Sequence, residues 1–165
     1  MADKHFVVQG AKLKCMFSVE PKTDILKVKT QSKHYINDVD GEEKPTATNK
    51  DIGQTLEKNT FGKCKKQPNG SGDFLPCQCV IQKWSGFYKK VTFEENKGNP
   101  LLEDSKATCP MGAPDCITID NHGQQAEASK QNTMKANDSV MKAINPTVNM
   151  AEVKNKSINN PNVTK

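Results

Sequence analysis

Short runs of alternating apolar and polar residues recur along the first 123 positions, each of strand length. Ala11-Lys12-Leu13-Lys14-Cys15 alternates with period two, and so does Ile25–Lys29, where Leu26 and Val28 share the face opposite Lys27 and Lys29. Gly86–Glu94 repeats the pattern, with Phe87, Val91 and Phe93 on one side and Lys90, Thr92 and Glu94 on the other. Cys116-Ile117-Thr118-Ile119, β-branched and set between Asp115 and Asp120, is a fourth expected strand. Cys79–Trp84 is a strand-like run ending on a tryptophan suited to anchor a core. Turn signals separate these runs: Asp40-Gly41, Asn69-Gly70-Ser71-Gly72, Ser85-Gly86, Lys97-Gly98-Asn99-Pro100 and Asn121-His122-Gly123. Strands this short at this spacing predict a small all-β body rather than βαβ units, with no helix ahead of residue 124.

Composition changes near residue 124 and divides the chain into a β-domain at 1–124 and an Asn/Lys-rich extension at 125–165. All ten glycines and all nine aromatic residues precede position 124, whereas 125–165 holds eight of the fifteen asparagines, six lysines and no Gly, aromatic or Cys. So few bulky apolar groups cannot offset the entropy of ordering, so the extension is expected to be disordered or to order against a partner. Two helical stretches are conceivable in it. One is 124–144, with Met134, Met141 and Ile144 on one face and Pro146 as a stop; the other follows Thr147 through Val148, Ala151 and Val153. The whole chain is 34% hydrophobic, against about 45–50% in an average soluble domain, and the extension accounts for part of that deficit.

Charge narrows the partners. The net charge is +5 and every one of the 24 basic residues is lysine. Without the planar guanidinium fork that grips guanine edges and phosphates, base-specific reading of nucleic acid is not expected; the interspersed acids read as a solvated surface. No window approaches the ~18 consecutive apolar residues of a membrane helix. The opening Met1-Ala2-Asp3-Lys4-His5 lacks the charged and apolar regions of a secretory signal.

The candidate chemistry lies in six cysteines: Cys15, Cys64, Cys77, Cys79, Cys109 and Cys116. No C-x-x-C occurs, so neither a zinc ribbon nor a thioredoxin-type pair is signalled. In a strand, Cys77 and Cys79 would share a face about 7 Å apart, awkward for one ion unless Pro76 puts Cys77 in a turn. Three readings stand open: buried small hydrophobes, disulfides, which the absent signal and a reducing compartment disfavour, and a structural metal site fed from distant strands and loops. His5, His34 and His122 are isolated in sequence and are expected at the surface or partly packed. No carboxylate pair, Ser/His/Asp set, phosphate-cradling loop or metalloprotease helix is visible, and no turnover is expected; a thiol enzyme would need an exposed cysteine of low pKa.

Several of these residues together resemble a known family. Val7-Val8-Gln9-Gly10-Ala11-Lys12-Leu13-Lys14-Cys15 is similar to an opening V-x-x-G-A-x-L-x-C, and Asn59–Cys64 to N-x-F-G-x-C. Leu75-Pro76-Cys77 resembles a P-C element ahead of a tryptophan, here Trp84. Leu101-Leu102, Ser105, Cys109, Gly112, Ile117-Thr118-Ile119 and Gly123-Gln124 resemble a closing L-x-x-x-S-x-x-x-C…G…I-x-I…G-Q. The pattern is that of the PAAR-like proteins, the DUF4280 family, of type VI secretion and related contractile injection systems, and covers residues 6–124. Met16-Phe17-Ser18 stands where that pattern has a small residue and glycine, and the Asp38–Lys58 stretch is longer and more charged.

The resemblance implies a small, cone-shaped all-β tip that caps the trimeric VgrG-type spike, one copy per trimer, without enzymatic activity. It implies a structural metal, Zn2+ or iron, held by Cys15, Cys64, Cys77 and Cys109, with Cys79 and Cys116 as alternates. It implies assembly in the bacterial cytoplasm, translocation by the machine, passing contact with a target membrane, and an effector or cargo engaged through residues 125–165. The alternative is a free-standing zinc-stabilised adaptor with no spike.

Overall fold

The computed structural model describes residues 4–38 and 43–124, with positions 139, 149, 151 and 152 of the extension. Contacts divide the chain into Met1–Gln124 and Gln125–Lys165. The two helical stretches considered after residue 124 lie, but for those four positions, outside the described residues. Between residues 4 and 124 the described chain is all-β: seven short strands in two antiparallel sheets, and no helix.

The period-two runs seed the larger sheet. In β1 (Lys12–Cys15) Leu13 is fully buried between exposed Lys12 and Lys14. It pairs with β2 (Thr23–Ile25) on one side and β7 (Ile117–Asn121) on the other, setting Leu13 opposite Ile119 and Cys15 opposite Ile117. β6 (Lys106–Thr108) and β5 (Lys83–Ser85) complete the order β2-β1-β7-β6-β5. Lys14 Nζ meets Asp120 Oδ1 at 2.9 Å across the exposed face, but an exposed pair contributes at most about 1 kcal/mol. Burial of Leu13, Ala107 and Ile117 beneath that face stabilises the sheet more. A separate hairpin of β3 (Lys63–Pro68) and β4 (Phe74–Pro76) turns through Asn69–Gly72, where Asn69 Oδ1 accepts the amides of Ser71 and Asp73.

Between strands, single antiparallel bridges stitch the loops together: Phe6 with Leu102, Val8 with Thr46, Leu26 with Leu56, Gly53 with Ile81. The charged Asp38–Lys58 stretch turns out to feed the core, for Thr46, Ala47, Thr48 and Asp51 in it are fully buried. Two carboxylates serve as hubs for loop amides. Asp24 accepts from the backbone N–H groups of Ile25, Lys58 and Thr60, and Asp51 from those of Lys29 and Thr48. Trp84 is the core anchor expected of it, buried with its Nε1 donating to the Asp51 carbonyl at 2.7 Å.

Three of the expected runs differ in the structure, and of Cys79–Trp84 only Lys83 and Trp84 enter a strand, with Ile81 held by an isolated bridge to Gly53. The second alternating run forms its strand earlier, at Thr23–Ile25, and Leu26 continues only as an isolated bridge. Gly86–Glu94 forms no strand at all. Its backbone is spent on turns: Gly86 takes φ +73°, Tyr88 N–H donates to the Pro100 carbonyl, and Phe93 N–H to that of Gly98. Val91 is left exposed while Phe93 packs inward.

Gly123 closes the domain at φ +84°, and a Cβ there would lie 2.9 Å from the Ala11 nitrogen and 3.1 Å from the Val8 carbonyl oxygen. Both obstacles are backbone. Gly123→Ala is therefore expected to cost about 2–3 kcal/mol in urea unfolding; a loss within about 0.5 kcal/mol, the usual range for a surface change, would refute the close packing.

Candidate metal centre

All six cysteines sit at or near strand ends, and the antiparallel order carries those of the large sheet to one end. Cys15 ends β1, Cys116 precedes β7, and Cys109 follows β6. The smaller hairpin joins the same end, because Cys64 on β3 bridges Ser18 and Val19 N–H donates to the Lys63 carbonyl. Cys77 and Cys79 lie just beyond β4, out of the strand, with their amides donating to the carbonyls of Gly62 and Asn59. No disulfide joins any of the six.

Cys64, Cys79, Cys109 and Cys116 are buried, and Cys15 and Cys77 are half-buried. Cys15 lies within electrostatic reach of Cys116 and Cys77. Cys77 lies within electrostatic reach of Cys109, Cys64 and Cys116, and Cys79 of Cys109, Cys77, Cys15 and Cys116. Cys79 and Cys116, which fall outside the family pattern, thus occupy the same neighbourhood as the other four. Gly112 is what lets the 109–116 loop fold over it: a Cβ there would stand 2.9 Å from Cys116 Sγ.

Burial is the main reason the Cys15 thiol is pushed up to about 12, and nearby Cys116 and Cys77 add to it. Cys77 and Cys79 are raised for the same first cause. With their pKa values above the ordinary thiol value of 9.0, folding favours the protonated forms. The stabilisation is thus complete below the unfolded thiol pKa and is lost as pH climbs from there through the folded value.

As a donor set, the thiols fit a structural ion. Soft thiolates drawn from several loops are what tetrahedral zinc takes, and iron accepts them too. Cys15, Cys64, Cys77 and Cys109 are brought to one end of the domain, but no three sulfurs lie mutually within 4.8 Å, so ligation requires them to draw closer. Among the described residues the group whose donor atoms do lie that close is His5, Glu103 and His122. It escapes sequence reasoning because its members come from the two ends of the domain; the only trace in sequence is that His122 falls in a turn signal beside β7.

The 109–116 loop and the residues around it also leave large apolar side chains in solvent. Met16, Leu75, Val80 and Met111 are all exposed, each adjacent to a cysteine or within two residues of one. Leu75, Val80 and Met111 help line a shallow recess of about 450 Å³.

Comparison with known proteins gives one family match. The family model described as a domain of unknown function (DUF4280) matches residues 7–124. No curated protein and no solved structure matches the chain significantly. The matched span starts at the buried Val7 and ends at Gln124, whose side chain closes back onto the Phe6 carbonyl, so it takes in all seven strands and all six thiols. The chain belongs to the DUF4280 family.

Proposed function

We propose that this protein is the metal-stabilised tip that caps and sharpens the trimeric VgrG-type spike of a type VI secretion or related contractile injection system, aiding membrane puncture and effector delivery. The observation that carries the reading is the collection of six thiols at one end of a domain built from strands of three to six residues. Such short strands bury little apolar surface of their own, and an ion bound by thiolates from separate loops ties them together at small volume. Exposed Met16, Leu75, Val80 and Met111 around those thiols supply an apolar surface for passing contact with a membrane. The work is mechanical and needs no turnover. Ligands are assigned to Cys15, Cys64, Cys77 and Cys109, with Zn2+ as the ion and iron as the second choice.

The test is assembly with a purified trimeric spike protein, read by mass photometry: one copy per trimer is expected, with zinc or iron found by elemental analysis. A protein that carries metal yet never joins a spike would be a free-standing adaptor instead. Residues 125–165 are assigned to effector or cargo. Deleting them should leave spike capping intact and abolish cargo recruitment; loss of capping on deletion would refute that assignment.

A further inference from the structure

We propose that His5, Glu103 and His122 form a second metal site, at the end of the five-stranded sheet opposite the cysteines, and that it takes a divalent transition ion of the zinc class. This site is independent of what the thiols bind.

Antiparallel order separates the two sites. The thiols flank the end of β1 and the start of β7, whereas His122 follows the last residue of β7. His5 and Glu103 reach that opposite end through the Phe6–Leu102 bridge. The backbone positions all three residues. Glu103 N–H donates to the His5 carbonyl at 2.9 Å, and Val8 N–H to the His122 carbonyl at 3.0 Å. Neither bond involves a side chain, so the donors are presented on fixed chain whatever they bind.

Side-chain geometry then gathers the donors around one space. The three donor atoms lie within 4.8 Å of one another, and His5 Nδ1 is 3.0 Å from Glu103 Oε2. The two imidazoles stack with centroids 4.5 Å apart and planes 12° from parallel, so one ring must turn about its side-chain torsions before both in-plane lone pairs meet a single ion. Neighbouring Lys4 does not compete for Glu103, since it pairs with Asp104. Two local hydrogen bonds stand in the way, between His5 Nδ1 and Glu103 Oε2 at 3.0 Å and from Gln124 N–H to His122 Nδ1 at 3.1 Å, and an ion at those atoms would replace them.

The donor chemistry selects the ion. Two imidazoles and one carboxylate suit zinc, nickel or copper(II) rather than calcium or magnesium, which prefer all-oxygen shells. Three protein ligands leave a fourth position, and because His5 is exposed it opens to solvent.

The experiment titrates the full chain with Zn2+ alone at neutral pH and follows the three histidine rings by 15N–1H NMR. His34, stacked on Phe93 and not a member of this group, is the internal control. The His5 and His122 ring signals should shift together and saturate while His34 stays put, whether or not the thiols have already taken metal. His122→Gln and Glu103→Gln should each weaken that transition by at least about tenfold. Both variants keep the backbone hydrogen bonds that close the domain, so amide spectra should stay native. If His5 and His122 respond no more than His34, or if the variants titrate like wild type, the site does not exist. The wild-type titration decides this even if a variant fails to fold.

Discussion

Cys109→Ala is expected to abolish metal binding at the proposed thiolate centre and leave the domain largely unfolded at room temperature. Two magnitudes decide this. As a buried small hydrophobe Cys109 makes only modest contacts, and trimming one buried heavy atom costs about 1 kcal/mol. A structural zinc supplies an apparent folding free energy of roughly 10–16 kcal/mol in small metal-dependent domains, more than the roughly 5–15 kcal/mol by which whole domains are stable. The same loss is expected for Cys15→Ala, Cys64→Ala and Cys77→Ala. Cys79→Ala and Cys116→Ala should retain metal and lose only about 1–2 kcal/mol, as packing residues do. Elemental analysis paired with thermal melting separates the two classes. If all six variants behave like ordinary packing changes and none alters metal content, the thiols are core residues and the tip reading loses its metal.

Asp51→Ala is expected to cost about 3–5 kcal/mol, the range of a broken buried network. Asp51 is fully buried, and its carboxylate accepts the Lys29 amide at 3.1 Å, the Thr30 hydroxyl at 2.9 Å and the Thr48 amide at 2.8 Å. Alanine leaves those donors without their acceptor in a place water does not reach, and each such group costs about 1–3 kcal/mol. Asp51→Asn keeps one acceptor oxygen but turns an NH2 toward an N–H, so it should fall between alanine and wild type. Urea midpoints at unchanged m-value report the loss directly. A cost under about 1 kcal/mol, the net worth of one ordinary hydrogen bond, would mean that the surrounding loops reseat or admit water. Thr48 ties this hub to the Asn96 side chain, so the damage should spread to the 96–99 turn, where Asn96 Nδ2 donates to Thr48 Oγ1 at 2.9 Å.

What could be read from the sequence was what local pattern controls. β1 and β7 alternate because one face of each is buried, and Leu13 and Ile117 stand where the alternation puts them. β3 was illegible for the opposite reason: Lys63–Pro68 buries little besides Cys64, and its pairing is set by the Asn69–Gly72 turn and by contact with residues 17–19. β6 has only three residues, too few for a period to declare itself. Gly86–Glu94 misled because its alternation belongs to a loop held by Pro100 and Gly98. Six thiols were visible as residues, but their gathering at one end follows from strand order, which no local pattern encodes. Asp51 looked like one more surface acid, and only the fold makes it a hub.

Gln124 Nε2 donates to the Phe6 carbonyl at 2.7 Å, and the Phe6–Leu102 and Val8–His122 pairings lie beside it. The chain of the domain therefore enters and leaves at nearly the same point and forms an almost closed ring. Such a ring can be joined by a few residues between 124 and 4 and cut open at the exposed Asn69–Gly72 turn without removing a single strand pairing. Passengers grafted at either end of the domain depart from the side that lacks the cysteines, leaving the thiol end unburdened.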